Sequence, residues 1–247
     1  SVAVTGVQTC ALPIFDTFEN EPLPMAELIS HPNVIVTPHI GASTEEAQVR
    51  IGEAVATQVL KSLRGEIVDY PVNLPHVSTF NCAHARSLSV LVEKVSVIIA
   101  QLFDFQVQSY RLKIKSHLKN EDLEILKLSA MKGFLSRMSD EFVSYVNASR
   151  LFAKRGIQFE IEHEDSFDTK TSILVELRGA QEHEVVSVGG VLYDTDTLRL
   201  SSINEFLFEI EVEGELIVMQ NHDRPGVIGA VGTYLALHNV NIAQFEL

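Results

Sequence analysis

Glu21 and His39 are an acid and a histidine close together in sequence, both in turn-rich surroundings. Glu21 lies between Asn20 and Pro22, and His39 follows Pro38 at the end of a short apolar run. A carboxylate that accepts a hydrogen bond from an imidazole raises the ring's basicity and fixes its tautomer. That arrangement suits reversible proton transfer at a carbinol. Spacing alone leaves a second reading open, because a histidine after a strand also serves purely structural roles. Two further polar residues are Asp223, just before the turn Arg224-Pro225-Gly226, and Asn241, in the segment after the helix that follows. Asp223 could meet an ammonium group while N–H groups at a helix start attract a carboxylate. Equally, Asp223 caps a helix and Asn241 makes a turn. The cations Arg150, Lys154 and Arg155 read either as anion contacts or as a solvated helix face.

The elements that must position these residues follow from hydrophobic period and punctuation. Asn33–Thr37 (NVIVT) is a β-branched strand, and Pro38, His39 and Gly41 form a tight loop after it. Ser43 and Glu46 have capping-box spacing, and Ala47, Ile51, Val55, Val59 and Leu63 recur on one helical face until Gly65. Tyr70–Pro75, with two prolines, is a linker. Leu88, Leu91, Val95, Ile98 and Leu102 predict a second amphipathic helix. Tyr110, Leu112 and Ile114 alternate as in a half-buried strand, and Leu123 to Met138 gives a helix starting near Asn120. Asn147 caps a short helix ended by Gly156. Strands follow near 157–162, 172–177, 185–192 and 197–203, making 79–204 an α+β domain. Leu216–Gln220, a helix bearing Val227, Val231 and Leu235, and Asn239–Ile242 read as β-α-β. Such a unit cannot cover its own sheet.

Bulk properties narrow the class. The 247 residues suffice for one large or two to three small domains; 46% hydrophobic and 21% charged residues are ordinary for a globular protein. A net charge of −14 argues against a nucleic-acid partner, whose phosphates need clustered Lys and Arg. No apolar run approaches the roughly 20 residues of a membrane span, so no membrane association is expected. Cys10 and Cys82 offer neither metal spacing nor a disulfide framework, which makes a cytoplasmic setting the default and no metal site the expectation. Val4–Ile14 (VTGVQTCALPI) resembles the translation of a sequencing-library adapter, so Ser1–Ile14 is set apart from the fold. Cys82 is then read as a small core residue.

Phe15-Asp16-Thr17-Phe18-Glu19-Asn20-Glu21-Pro22 followed by Asn33-Val34-Ile35-Val36-Thr37-Pro38-His39-Ile40-Gly41-Ala42-Ser43-Thr44 resembles the C-terminal signature of the D-isomer-specific 2-hydroxyacid dehydrogenases. The two blocks cover most of Phe15–Asn73, and Thr17 departs from the family's usual valine. Glu215–Leu247 is similar to the first half of an ACT domain. The middle region, at Val143–Ala148 and Lys154–Ile157, is similar to the intervening domain of the family's long-form members.

The resemblance implies an α/β tail of the dehydrogenase catalytic unit (15–75), an α+β intervening domain (76–205) and a truncated ferredoxin-like ACT domain (206–247). It implies catalytic His39 as the acid/base with Glu21 as its partner. Asp16 and Gly41 would lie beside the NAD cofactor, and Asn221, Asp223 and Asn241 would contact an L-serine effector. The substrate implied is 3-phosphoglycerate, in the entry step to L-serine, and the assembly a homo-oligomer, dimer or tetramer. The Gly-rich phosphate loop of that family lies upstream of these blocks, and no G-x-G-x-x-G occurs in this sequence. Two alternatives stay open: an effector-binding regulatory fragment without catalysis, and a dehydrogenase for another D-2-hydroxy acid.

Overall fold

In a computed structural model the described residues are 13–22, 25–69, 71–74, 83–117, 123–166, 170–194, 196–222 and 224–246. Cys10, Cys82 and Asp223, with parts of the expected linker, lie outside them. The chain divides into two units, Ser1–Val68 and Asp69–Leu247.

The first unit is built on two short strands. β1 (Ile14–Phe15) pairs in parallel with β2 (Ile35–Val36), Ile14 opposite Ile35 and Phe15 opposite Val36. The N–H of Ile35 also donates to the Pro13 carbonyl at 3.0 Å. Ile14, at the end of the segment set apart for its adapter-like sequence, thus belongs to this sheet. Between the strands lies the one-turn helix α1 (Ala26–Ile29), which the periodicity did not announce.

After the His39 turn comes α2 (Glu45–Leu63). Its cap is Thr44, not Ser43: the Thr44 hydroxyl accepts from the Ala47 N–H at 3.2 Å. Ala47 therefore holds the third helical position, and Glu46 is one residue too early to complete a capping box. Arg64 closes the helix and Gly65, at φ +72°, leaves it in the left-handed region, as expected. The apolar stripe exists, but α2 has no buried residue, and Val55 and Leu63 are exposed.

The second unit is organised by a six-stranded sheet. α3 (Ala83–Ile99) precedes β3 (Ser109–Ser116); α4 (Leu123–Leu135) and α5 (Ala148–Lys154) lead to β4 (Gln158–Asp165). β5 (Lys170–Arg178), β6 (Val185–Tyr193), β7 (Thr197–Ile203) and β8 (Phe206–Glu211) then run back and forth. The order is β4-β3-β5-β6-β7-β8, with β3 and β4 parallel and every other pair antiparallel. Parallel neighbours require a crossover, which α4 and α5 supply.

Alternation decides the faces. Tyr110, Leu112, Ile114 and Ser116 of β3, and Thr171, Ile173, Val175 and Leu177 of β5, are buried on one face. α3 packs against β5, β6 and β7, and against α4. Its core residues are Leu88, Leu91, Val92, Val95 and Ile99; Ile99 takes the place assigned to Ile98, because the helix turns 3.6 residues rather than the assumed spacing. Tyr110, Phe134, Phe152 and Phe159 meet edge-on, tilted or stacked, with centroids 5.1 to 5.9 Å apart, joining β3, α4, α5 and β4. The buried Tyr110 hydroxyl finds its partner in Ser96, 2.7 Å away.

Other expectations change in detail. Asn147 sits at the N-cap of α5, yet its Oδ1 accepts from the Ser144 N–H and hydroxyl, so it braces the preceding turn instead of the helix. β8 extends the sheet past the boundary placed at residue 205. Its short alternating run FLFEIE was hidden by two exposed apolar residues, Phe206 and Leu207. Leu216–Gln220 and Asn239–Ile242 form no strands; only the helix between them, α6 (Val227–Leu237), is present. Strands need a hydrogen-bonding neighbour, while a helix satisfies its own backbone. α6 is capped by Gly226 at φ +97°, so Pro225 lies before the cap instead of in the first helical position. Among the described residues no helix is long and apolar enough to cross a membrane.

The tightest helix contact is at Gly133 of α4. A Cβ there would collide with the Glu93 carbonyl oxygen and lie 3.0 Å from Ser96 Cβ. Alanine is favoured over glycine in a helix by about 1 kcal/mol, but overpacking against backbone costs about 1–3 kcal/mol. Gly133→Ala is expected to lower stability despite its better propensity. Urea unfolding followed by far-UV circular dichroism checks this; an unchanged or raised midpoint contradicts it.

Candidate active site

The parallel register of β1 and β2 decides what faces what. Continuing it by one residue places Asp16, just after β1, beside Thr37, just after β2. The Thr37 N–H donates to the Phe15 carbonyl at 2.9 Å, and its hydroxyl donates to Asp16 Oδ1 at 2.5 Å. The same carboxylate reaches the next turn: the Ile40 N–H donates to Oδ1 at 2.8 Å and the Gly41 N–H to Oδ2 at 2.7 Å. A Cβ on Gly41 would stand 2.8 Å from Asp16 Oδ2, so glycine is what lets the carboxylate come this close. Three donors, led by the Thr37 hydroxyl, hold the Asp16 carboxyl below the usual carboxylate range.

His39 lies inside this turn with φ +56°, a conformation uncommon for any residue but glycine. Its Nδ1 is 2.8 Å from Glu21 Oε2, and the other Glu21 oxygen accepts from the Phe18 N–H at 2.9 Å. Glu21 is thus fixed by its own turn before it meets the ring. The hydrogen bond and charge of Glu21 raise the His39 pKa above 6.5; the Phe18 N–H, followed by the imidazole, lowers that of Glu21. With the Nδ1 proton directed to the carboxylate, Nε2 is the nitrogen left to exchange a proton with a ligand. The imidazole is largely exposed, at 60% of its side chain. A ligand can reach it from solvent.

The structure therefore brings His39, Glu21, Asp16 and Gly41 into one cluster. It also adds Thr37 and the Phe18 N–H, neither of which the sequence singled out. Thr37 stood in plain view as a β-branched residue at a strand end, where strand propensity alone accounts for it. Asn221 and Asn241 belong to the second unit, in irregular segments before and after α6, and Asp223 lies outside the described residues. Of the cations near α5, the Arg155 guanidinium donates to the Met138 carbonyl at 2.5 Å and Arg150 lies 3.9 Å from Glu141. Two of the three thus spend themselves on their own domain.

Comparison with known proteins adds the family context. Residues 86–204 match the family model of the D-3-phosphoglycerate dehydrogenase intervening domain. The chain is 35% identical to the D-3-phosphoglycerate dehydrogenase of Mycobacterium tuberculosis (strain H37Rv) over 247 residues, 99% of this chain and 46% of the relative. It is 35% identical to that of Mycobacterium leprae over 233 residues, 94% of this chain and 44% of the relative. For the chloroplastic D-3-phosphoglycerate dehydrogenase 2 of Arabidopsis thaliana the identity is 32%, over 96% of this chain and 40% of the relative. The chain spans less than half the length of these curated relatives. It is similar to D-3-phosphoglycerate dehydrogenases along nearly all of its length, and its central part matches the family model of their intervening domain.

The ion pair has a pH window set by its two shifts. The raised His39 pKa contributes stability that is full below pH 6.5 and lost as pH rises through the folded-state value. The lowered Glu21 pKa contributes stability present above its ordinary value and lost as pH falls through the depressed one. The charged pair persists between the two. Glu21→Gln should bring the His39 titration down toward the ordinary histidine value, read from its ring resonances by NMR. A midpoint that stays put would separate Glu21 from His39.

Proposed function

We propose that this chain carries the acid/base end and the regulatory domains of a D-3-phosphoglycerate dehydrogenase, an NAD-dependent oxidoreductase converting 3-phospho-D-glycerate to 3-phosphohydroxypyruvate at the start of L-serine biosynthesis. The observation that supports it most is the Glu21–His39 pair at 2.8 Å, held in the same turn as Asp16 and Gly41. Oxidation of a secondary alcohol removes a hydride from carbon and a proton from oxygen. In that reaction NAD, where bound, supplies the hydride acceptor.

This chain's own residues handle the proton. His39 Nε2 takes it from the substrate hydroxyl, and Glu21 stabilises the resulting imidazolium and holds the ring's tautomer. Asp16 and Gly41 form the turn that would lie beside the nicotinamide. The residues that would cradle a pyrophosphate do not fit any segment of this sequence, because no G-x-G-x-x-G turn occurs in it. The dinucleotide site as a whole is therefore not assigned to these residues.

The second unit carries the regulatory part of the proposal. The residues 206–247 would contribute to an ACT domain in which Asn221, Asp223 and Asn241 receive L-serine: Asp223 for the ammonium group, N–H groups near Gly226 for the carboxylate. The full protein would be a cytoplasmic homo-oligomer.

Two measurements test this. In a full-length protein containing this sequence, His39→Gln should cut turnover by roughly two orders of magnitude, the scale of a lost acid/base group; near-normal turnover would remove His39 from the chemistry. The purified 247-residue chain alone should form no NADH from 3-phosphoglycerate and NAD. Activity there would mean that the dinucleotide is bound without the glycine turn.

A further inference from the structure

A residue at φ +56° with an exposed side chain does not hold itself in place. The restraints on His39 come from both sides along the chain: Thr37 two residues before it, Ile40 and Gly41 just after it. All three donate to one carboxylate, that of Asp16. Asp16 is in turn anchored by the β1–β2 register, through the Thr37 N–H to the Phe15 carbonyl. The bond that closes this circuit is the one from the Thr37 hydroxyl. Without it, Oδ1 keeps only the Ile40 N–H, and the carboxylate loses the contact that ties it back to the strand.

We propose that Thr37 is a positioning residue: its hydroxyl orients the Asp16 carboxylate, which locks the His39 turn so that Nδ1 faces Glu21. The catalytic meaning of this lock rests on the reading of His39 as acid/base, but the lock itself can be read without turnover. Valine would preserve the β-branched shape at the strand end and remove only the donor. Serine would restore the donor without the methyl group. The same logic revises what Asp16 and Gly41 contribute. Both carboxylate oxygens are engaged by the turn, and the missing Cβ at position 41 makes room for one of them.

The test is NMR titration of the full chain, with His39 ring resonances identified by their loss in His39→Gln. Two observables are followed in wild type, Thr37→Val, Thr37→Ser and Glu21→Gln: the His39 midpoint, and the acidic midpoint at which the Ile40 and Gly41 amide shifts follow Asp16. In Thr37→Val the His39 midpoint should shift down toward that of Glu21→Gln, and the amide midpoint should shift up. Thr37→Ser should match wild type in both. If Thr37→Val matches wild type while Glu21→Gln drops, the lock is wrong and the Glu21–His39 pair stands. If neither variant moves His39, the pair itself fails. Should Thr37→Val collapse the Ile40 and Gly41 amide dispersion altogether, serine decides: wild-type midpoints sustain the lock, and midpoints away from wild type overturn it.

Discussion

One carboxylate holds the candidate site together. Asp16 accepts from a hydroxyl and two backbone N–H groups spread over five residues, Thr37 to Gly41, and so converts a turn into a fixed scaffold. Hydrogen bonds to an ionised acceptor are shorter and stronger than neutral ones. Here they act on a residue, His39, whose backbone lies outside the common regions. The ring of that residue meets Glu21 at 2.8 Å, and the hydrogen bond and charge of Glu21 raise the imidazole pKa. Glu21 plays the complementary part from the other turn, with the Phe18 N–H fixing one oxygen while the other meets the ring.

The second unit depends on a different constraint, the need of a sheet to bury one face. Close approach makes this possible at two glycines. Gly133 lets α4 touch the backbone of α3, and a Cβ at Gly190 of β6 would press on Leu91 and Val95 of α3 at 3.0 and 3.1 Å. The ion pair of Glu93 and Lys132, with the Tyr145 hydroxyl donating to Glu93 at 2.8 Å, ties α3, α4 and the turn before α5 into one block. Burial and the carboxylate beside it push the Tyr145 hydroxyl far above its ordinary pKa, so it remains a donor.

What could be read from residues alone was what periodicity and punctuation encode. α3, α4, α5 and β3 to β7 were all anticipated close to their places, because apolar residues recur at 2 or 3.6 and glycines mark the ends. Glu21 and His39 could be paired by chemistry, and Asp16 and Gly41 by resemblance. Thr37 was not legible as a site residue, since nothing in a threonine at a strand end says that its hydroxyl turns toward a carboxylate 21 residues earlier. β8 was missed because its alternation is weak, and two strands near α6 were anticipated where none forms. In those segments side-chain pattern argued for strands while the backbone lacked neighbours. The stripe on α2 was legible as a stripe, and its exposure was not, because a sequence period says which residues share a face and not what covers it.

On the sheet face away from the helices, β3 and β4 carry an alternating ladder. Arg111, Lys113 and Lys115 stand opposite Glu160, Glu162 and Glu164, and Arg111 also reaches Glu176 of β5. Exposed pairs of this kind add little stability each. Their larger effect concerns alignment. β4 meets β3 only after the chain has passed through α4 and α5, and nothing like a tight hairpin sets their register. A slip of one residue would drive three glutamates against the aromatic cluster of Tyr110, Phe134 and Phe152, and a slip of two would leave one end of the ladder unmatched. The same glutamates belong to β4, an edge strand of the sheet. The ladder thus acts as a check on assembly: it distinguishes the right pairing from its neighbours.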